Sequence, residues 1–124
     1  MKTIPIRLLG LLFILLPVLA SAENLILIPA WQAQTGFQQP ESVVYDSQRD
    51  LLFVSNINGE PNEADGNSYI SQLSADGKPI EQHWLTSLNA SKGLAIVGDT
   101  LYVADINQLI VIDITQVKSR CLTC

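Results

Sequence analysis

After residue 22, hydrophobic residues occur in short runs separated by glycine, aspartate, asparagine and proline. Residues 69–73 alternate with the two-residue period of a strand, and Asp76-Gly77 and Gly98-Asp99 are strong turn signals. No stretch keeps a helical period over ten residues. The pattern therefore predicts an all-β fold. The expected strands lie near 42–46, 51–55, 68–73, 80–85, 93–97, 100–104 and 108–114.

One segment of the chain is repeated. DLLFVSNING at 50–59 and DTLYVADINQ at 99–108 are identical at five of ten positions, at a constant offset of 49 residues. The predicted strands thereby fall into one unit of four and a second unit of three. Four-stranded units that recur every 40–50 residues are typical of β-propeller blades. A twisted sheet that is apolar on both faces has to stack against copies of itself, so repetition supplies matching faces.

The chain holds about two blades, whereas propellers have roughly four to eight. We therefore expect a chain that is apparently truncated, with a partial propeller domain at 23–114 and an irregular tail at 115–124. The alternative is a self-contained two-blade domain that assembles with other chains.

The first 22 residues have the three parts of a secretory signal peptide. Lys2 and Arg7 precede an apolar run at 8–16, and Ala20-Ser21-Ala22 provides a small-residue cleavage site. The apolar run is shorter than the roughly 20 residues that span a bilayer. We expect a secreted or periplasmic protein with no membrane span after cleavage.

The net charge of the chain narrows the range of partners. From residue 23 onward the chain keeps all 12 acidic residues but only five basic ones, a formal charge of −7. Nucleic-acid binding needs a basic surface, so no nucleic-acid partner is expected.

Cys121 and Cys124 form a C-x-x-C at the end of the chain, without a second pair or a following helix. A terminal disulfide, or an accident of how the chain ends, is favoured over a redox pair or half a zinc site.

Four segments carry a resemblance to a known family: PESVVYD at 40–46, LLFVSNING at 51–59, DGK at 76–78 and LNASKGLAIVGDTLYVADIN at 88–107. They resemble the six-bladed propeller superfamily of gluconolactonase, regucalcin and luciferin-regenerating enzyme, and NHL-repeat propellers are next nearest. The resemblance covers about residues 31–114 and implies that the two blades come from a ring of six.

The resemblance also implies a divalent metal, usually calcium, at the mouth of the central channel. A glutamate just before the first inner strand is a ligand in that family, and Glu41 matches it. Lys92 stands at the matching position of the second unit, where the family has Asn or Asp before a glycine. An ammonium group has no lone pair for a metal. Either another blade supplies the remaining ligands, or this protein has lost the metal.

Antiparallel pairing predicts where these residues lie. The start of the first strand and the end of the second share one end of a blade. This puts Glu41 with Asn56 and Lys92 with Asp105, and adjacent blades bring all four toward one channel rim. Oxygen ligands suit a hard cation such as calcium. An ion pair between Glu41 and Lys92 is the alternative.

Other candidate residues have ordinary interpretations. The oxygen-rich segment 58–68 lacks the order of an EF-hand and is predicted to be a solvated loop, placed on the rim where it would shape an entrance. His83 is the only histidine and is expected on an outer strand at the surface. No nucleophile motif accompanies it, so a catalytic triad is unsupported. Trp31 and Trp84 are expected to pack between blades.

Two functions follow as expectations. The first is an exported gluconolactonase-like hydrolase of lactones or carboxylic esters, in which the metal polarises the carbonyl and activates water. The alternative is a non-catalytic periplasmic propeller that binds a small molecule or a protein partner. Glu41 favours the enzyme and Lys92 favours the binding protein, so both stay open.

Overall fold

The computed structural model describes residues 24–33 and 36–117. The predicted signal peptide and the cysteine pair lie outside the described residues, as does the tail from 118 onward. The described residues form an all-β fold of seven strands, which confirms the predicted fold class. The strands are β1 (Pro40–Asp46), β2 (Leu51–Asn56), β3 (Ser68–Ser74), β4 (Pro79–Leu88), β5 (Ser91–Val97), β6 (Thr100–Asp105) and β7 (Gln108–Asp113). Within the described ranges, no helix has the length and apolar character needed to cross a membrane.

The strands form two antiparallel sheets. Sheet 1 has the order β1-β2-β3-β4 and sheet 2 the order β5-β6-β7, so each strand pairs with the next one along the chain. The β5–β6 hairpin turns on Gly98-Asp99, where Gly98 adopts a φ of 58° that glycine tolerates without strain. The corresponding β1–β2 turn is longer and spans residues 47–50. The four-strand and three-strand units predicted from the repeat are thus the two sheets.

The sequence repeat is also a repeat of strand register. In sheet 1 the β2–β3 pairing runs from Asn56 opposite Tyr69 to Leu51 opposite Ser74. In sheet 2 the β6–β7 pairing runs in the same way from Asp105 opposite Gln108 to Thr100 opposite Asp113. Each position of β5, β6 and β7 therefore has an equivalent on β1, β2 or β3, and β4 has no counterpart in sheet 2. Four equivalent pairs matter below: Phe53/Tyr102, Ser55/Ala104, Ile70/Leu109 and Gln72/Val111.

The two sheets pack face to face around one hydrophobic core. Trp84 is buried there and its ring lies 4.7 Å from that of Phe53, centroid to centroid, as expected for a residue packed between repeats. Directly paired side chains share a face, so the register defines an inner and an outer face of each sheet. The buried core residues are Phe53, Ile70, Trp84, Leu88, Leu101, Val103, Ile112 and Ile114.

Trp31 and His83 lie away from this core. Trp31 is 48% exposed, and its ring lies over Gly77 in the β3–β4 turn rather than between the sheets. A Cβ at Gly77 would come within 2.5 Å of that ring, and Gly77 has a φ of 82°. Both facts require glycine there. His83 is exposed on β4, an edge strand, and packs against Tyr69 with ring centroids 4.2 Å apart.

Candidate functional site

The candidate site is the rim, the end of the two sheets where β1 and β5 begin and where β2 and β6 end. Glu41 and Asn56 lie at this end of sheet 1, and Lys92 and Asp105 lie at this end of sheet 2. Two hydroxyl groups join the sheets here. Ser55 donates to the carbonyl oxygen of Lys92 at 2.7 Å, and Ser68 accepts from the backbone N–H of Ser91 at 2.9 Å.

Each first strand has a β-bulge at the rim. Pro40 pairs with Asn56 and Ser42 pairs with Ser55, so Glu41 is the extra residue of sheet 1. In sheet 2 the register shifts between Ser91 and Leu94. A Cβ at Gly93 would lie 4.0 Å from that of Ala104, so these two residues face each other and Lys92 is the extra residue. The bulges turn both charged residues out of the regular ladder.

Asn56 is fully buried and its side chain is committed to the fold. Its Oδ1 accepts from the N–H of Gln38 at 3.2 Å. Its Nδ2 donates to the carbonyl oxygen of Val54 at 3.1 Å and to the hydroxyl of Ser71 at 3.0 Å. The amide therefore holds Gln38, in the segment before β1, against β2 and β3. Few of its hydrogen-bonding positions are left for a ligand.

Asp105 plays a similar part in sheet 2. Its carboxylate is 1% exposed and accepts from the backbone N–H groups of Asn89 at 3.0 Å and Ala90 at 2.6 Å. The side chain of Gln108 donates to it at 3.3 Å. Because these bonds fasten the β4–β5 connection, Asp105 acts as a structural cap of that connection.

The inter-sheet serines were missed by the sequence reasoning. Ser68 donates to the carbonyl oxygen of Asn56 at 2.7 Å and also bonds the hydroxyl of Ser91. Ser55, Ser68 and Ser91 are each fully buried. The sequence did carry a signal for these serines. Ser68 and Ser91 are each the first residue of a strand, and Ser55 stands where the other repeat has the apolar Ala104. Among the described residues, no buried side-chain nitrogen or oxygen lacks a hydrogen-bond partner.

Glu41 and Lys92 differ from the other two rim residues. Glu41 is exposed and Lys92 is half-buried, and no ion pair joins them in the part of the chain that the structure describes. Within residues 24–33 and 36–117, no cluster of three or more His, Cys, Asp or Glu side chains is placed to hold a metal. Calcium takes six to eight oxygen ligands. Of the four predicted rim residues, only Glu41 has an exposed carboxylate and Lys92 has an ammonium group, so these four residues alone do not fit a calcium ion.

The long loop at 58–67 also belongs to the rim, because it connects β2 to β3. All its residues are exposed. Its base is closed by Asn58, whose Nδ2 donates to the carbonyl oxygen of Asn67 at 3.1 Å. Farther out, Asp65 accepts from the N–H of Asn67 at 3.1 Å, and Glu63 donates its N–H to the carbonyl oxygen of Glu60 at 3.3 Å. The equivalent β6–β7 connection is only Ile106-Asn107. The loop is therefore an ordered insertion on one repeat.

One shallow depression lies away from the inter-sheet contacts. It has a volume of about 10 Å³, roughly the room of one water molecule. Pockets for drug-sized ligands are about 300–1,000 Å³. It is therefore too small for such a ligand. Its walls are Gly36, Phe37, Ser71, Pro79 and Gln82.

The opposite end of the sheets carries the charged contact between them. Arg49 bonds Asp46 at 2.8 Å through Nη1 and bonds Asp99 of sheet 2 through Nη2. Burial raises the pKa of Asp46, but the hydrogen bonds from Arg49 and from the N–H of Gln48 outweigh burial. The pKa of Asp46 therefore lies below its ordinary value of 3.8. This ion pair ties the two hairpin turns together and is structural.

Comparisons of the chain with protein-family models, curated proteins and solved structures each return no match. The family resemblance of the four segments therefore stays a prediction from the residues themselves.

Proposed function

We propose that this chain is an exported, non-catalytic binding protein built from propeller-type blades, and that its rim binds a protein partner through the loop at 58–67. The observation that carries the proposal is the loop itself. It is ten residues of ordered, fully exposed chain inserted where the other repeat has a two-residue turn. Compact loops of this kind on a rigid sheet are frequent sites of recognition.

The chemistry of the rim supports binding over catalysis. Asn56 and Asp105 are buried, and their polar atoms already bond the backbone. His83 is exposed on the edge strand of sheet 1 and packs against Tyr69. A general base or a nucleophile needs a free, positioned side chain at a concave site. Of the four predicted rim residues, only Glu41 has an exposed carboxylate.

The shape of the rim supports a macromolecular partner. Small-molecule sites are clefts or cavities. The loop instead projects from the sheet and carries three carboxylates, Glu60, Glu63 and Asp65. With a net charge of −7 from residue 23 onward, we infer that the partner presents a basic surface.

Deleting residues 58–67 tests the proposal. The deletion leaves Ile57-Ser68 between Asn56 and Tyr69, the same length as Ile106-Asn107 between Asp105 and Gln108 in the other repeat. Proteins retained from a cell-envelope extract by the intact chain are purified, and their affinities for the intact chain and for the deletion variant are measured by calorimetry at several salt concentrations. We expect the affinity to fall with salt and with the variant Glu60→Gln/Glu63→Gln/Asp65→Asn, which keeps the loop's hydrogen-bond acceptors. Equal binding by the deletion variant would refute the proposal.

Calcium binding and lactone hydrolysis stay predictions from the family resemblance. They are tested on the same preparation with glucono-1,5-lactone as probe, with and without a chelator. Turnover above the spontaneous rate that is lost with the chelator and in Glu41→Gln would favour the hydrolase over the binding protein.

A further inference from the structure

In the part of the chain that the structure describes, the outer face of sheet 2 is exposed. The register places Ala95, Val97, Tyr102, Ala104, Leu109 and Val111 on this face. Val97 is 69% exposed, Leu109 63% and Val111 60%. Contiguous apolar patches of this kind mark interaction surfaces on soluble proteins.

The repeat shows what such a face normally contacts. The equivalents of Tyr102 and Leu109 in sheet 1 are Phe53 and Ile70, both 0% exposed. They are buried because the inner face of sheet 2 packs on them. The same surface is therefore covered in one repeat and bare in the other. The residues of sheet 2 that cover it are Leu94, Ile96, Leu101, Val103, Ile110 and Ile112.

Sheet 1 carries a second version of that covering surface on its outer face, open over β1. Over β3 the face is covered, because Ser71 and Leu73, the equivalents of Ile110 and Ile112, are buried. The β1–β2 and β5–β6 registers make Val43 and Tyr45 the equivalents of Leu94 and Ile96. Val43 is 60% exposed and Tyr45 51% exposed on the outer face of sheet 1. Their neighbours Leu52 and Val54 on β2 are half-buried, whereas the equivalent Leu101 and Val103 are fully buried between the sheets. Residues 36–39 bond the β2–β3 part of this face and leave Val43 and Tyr45 open.

We propose that the outer face of sheet 2 binds the outer face of sheet 1 of a second copy of this chain, and that this contact repeats the internal packing of sheet 2 on sheet 1. The occupant is a second copy because one chain carries both the exposed outer face of sheet 2 and, at Val43 and Tyr45, the exposed β1 part of the surface that packs on such a face. The contact is head-to-tail. Each copy keeps one free face after pairing, so association continues until a ring closes or a filament forms.

Two differences make the intermolecular contact weaker than the internal one. Ser55 donates to the carbonyl oxygen of Lys92 inside the chain, but its equivalent is Ala104, which has no hydroxyl group. Arg49 pairs with Asp99 across the internal interface, but the shorter Gly98-Asp99 turn offers no arginine to a second copy. The contact therefore rests on apolar burial, and we expect association that depends on protein concentration.

Two exposed substitutions test the proposal. Val111→Lys disables the outer face of sheet 2, and Val43→Lys disables the outer face of sheet 1. Ile80→Lys is the control, because Ile80 is 57% exposed but lies on β4, the strand farthest from β1. Circular dichroism and thermal unfolding first establish that all three variants fold. Sedimentation velocity is then run over a wide concentration range on the chain from residue 23.

The expected pattern is specific to a head-to-tail contact. The unsubstituted chain and Ile80→Lys associate with rising concentration, whereas Val111→Lys and Val43→Lys each stay monomeric. An equimolar mixture of the two monomeric variants forms a dimer and nothing larger, since each variant supplies the face that the other has lost. A chain that is monomeric at every concentration would overturn the proposal. So would a mixture that stays monomeric while the unsubstituted chain associates, or self-association of either Lys variant alone.

Discussion

Glu41 and Lys92 occupy the same position in the two repeats, each as the extra residue of a β-bulge opposite the end of the second strand. The repeat thus presents an acid on one sheet and a base on the other at equivalent points of the rim. Glu41 is exposed and Lys92 is half-buried. A metal that bound through this position in both repeats would need an oxygen donor in each of them. The pair therefore argues for a rim whose charges are free for a partner.

Calcium should leave the stability of this chain unchanged. Within the described residues, no cluster of three or more His, Cys, Asp or Glu side chains is placed to hold a metal. A bound ion at one hundred times its dissociation constant would add about 2.7 kcal/mol to the free energy of unfolding. We expect no such gain when the chain is unfolded with urea in calcium and in chelator. A calcium-dependent gain that disappears in Glu41→Gln would instead restore the metal site implied by the resemblance.

Asp105 should matter for stability more than any other rim acid. Asp105→Ala leaves the N–H groups of Asn89 and Ala90 without their acceptor. An unsatisfied buried donor costs about 1–3 kcal/mol, so we expect a loss of roughly 2–3 kcal/mol in urea unfolding. Asp105→Asn keeps one acceptor oxygen and should lose less. Glu60→Gln, on the exposed loop, is the control and should stay within about 0.5 kcal/mol. Equal effects of Asp105→Ala and the control would contradict the structural role.

Stability should fall in acid, in part through Asp46. Its folded-state pKa lies below 3.8, so the stability it contributes is present above that pH and is lost as pH falls through the folded pKa. Asp46→Asn should lower the free energy of unfolding at neutral pH by about 1 kcal/mol and make the fall in acid shallower. The measurement is urea unfolding at a series of pH values from neutral down to 2. Parallel curves for the two proteins would show that Asp46 is not responsible.

The pattern of the sequence predicted most of the fold. The strand predicted near 51–55 is β2 at Leu51–Asn56, and the strand near 68–73 is β3 at Ser68–Ser74. Strand alternation and turn residues are local signals, so single-sequence reasoning can read them. The repeat then predicted the units, since identical residues recur at identical register positions.

The site was harder to predict, because it depends on burial and on partners distant in sequence. Asn56 and Asp105 have the residue types of ligands, and only the three-dimensional contacts show that their polar atoms bond Gln38, Asn89 and Ala90. Trp31 likewise was expected between repeats but lies on Gly77, because the segment before β1 passes over the β3–β4 turn. Such choices are made by tertiary packing, which local propensity does not report.

The repeat provides a matched pair of core substitutions. Ile70 and Leu109 are equivalent positions, but Ile70 is fully buried between the sheets and Leu109 is exposed. Ile70→Ala should lower the free energy of unfolding by about 2–5 kcal/mol through the cavity it leaves. Leu109→Ala should cost less than about 0.5 kcal/mol in dilute solution, where association is weakest. Urea unfolding of both variants at two protein concentrations separates a loss of stability within one chain from a loss of association between chains. If the outer face of sheet 2 binds a second copy, the unsubstituted chain gains stability with concentration and Leu109→Ala gains less. A large, concentration-independent loss in Leu109→Ala would mean that this face is already covered within one chain.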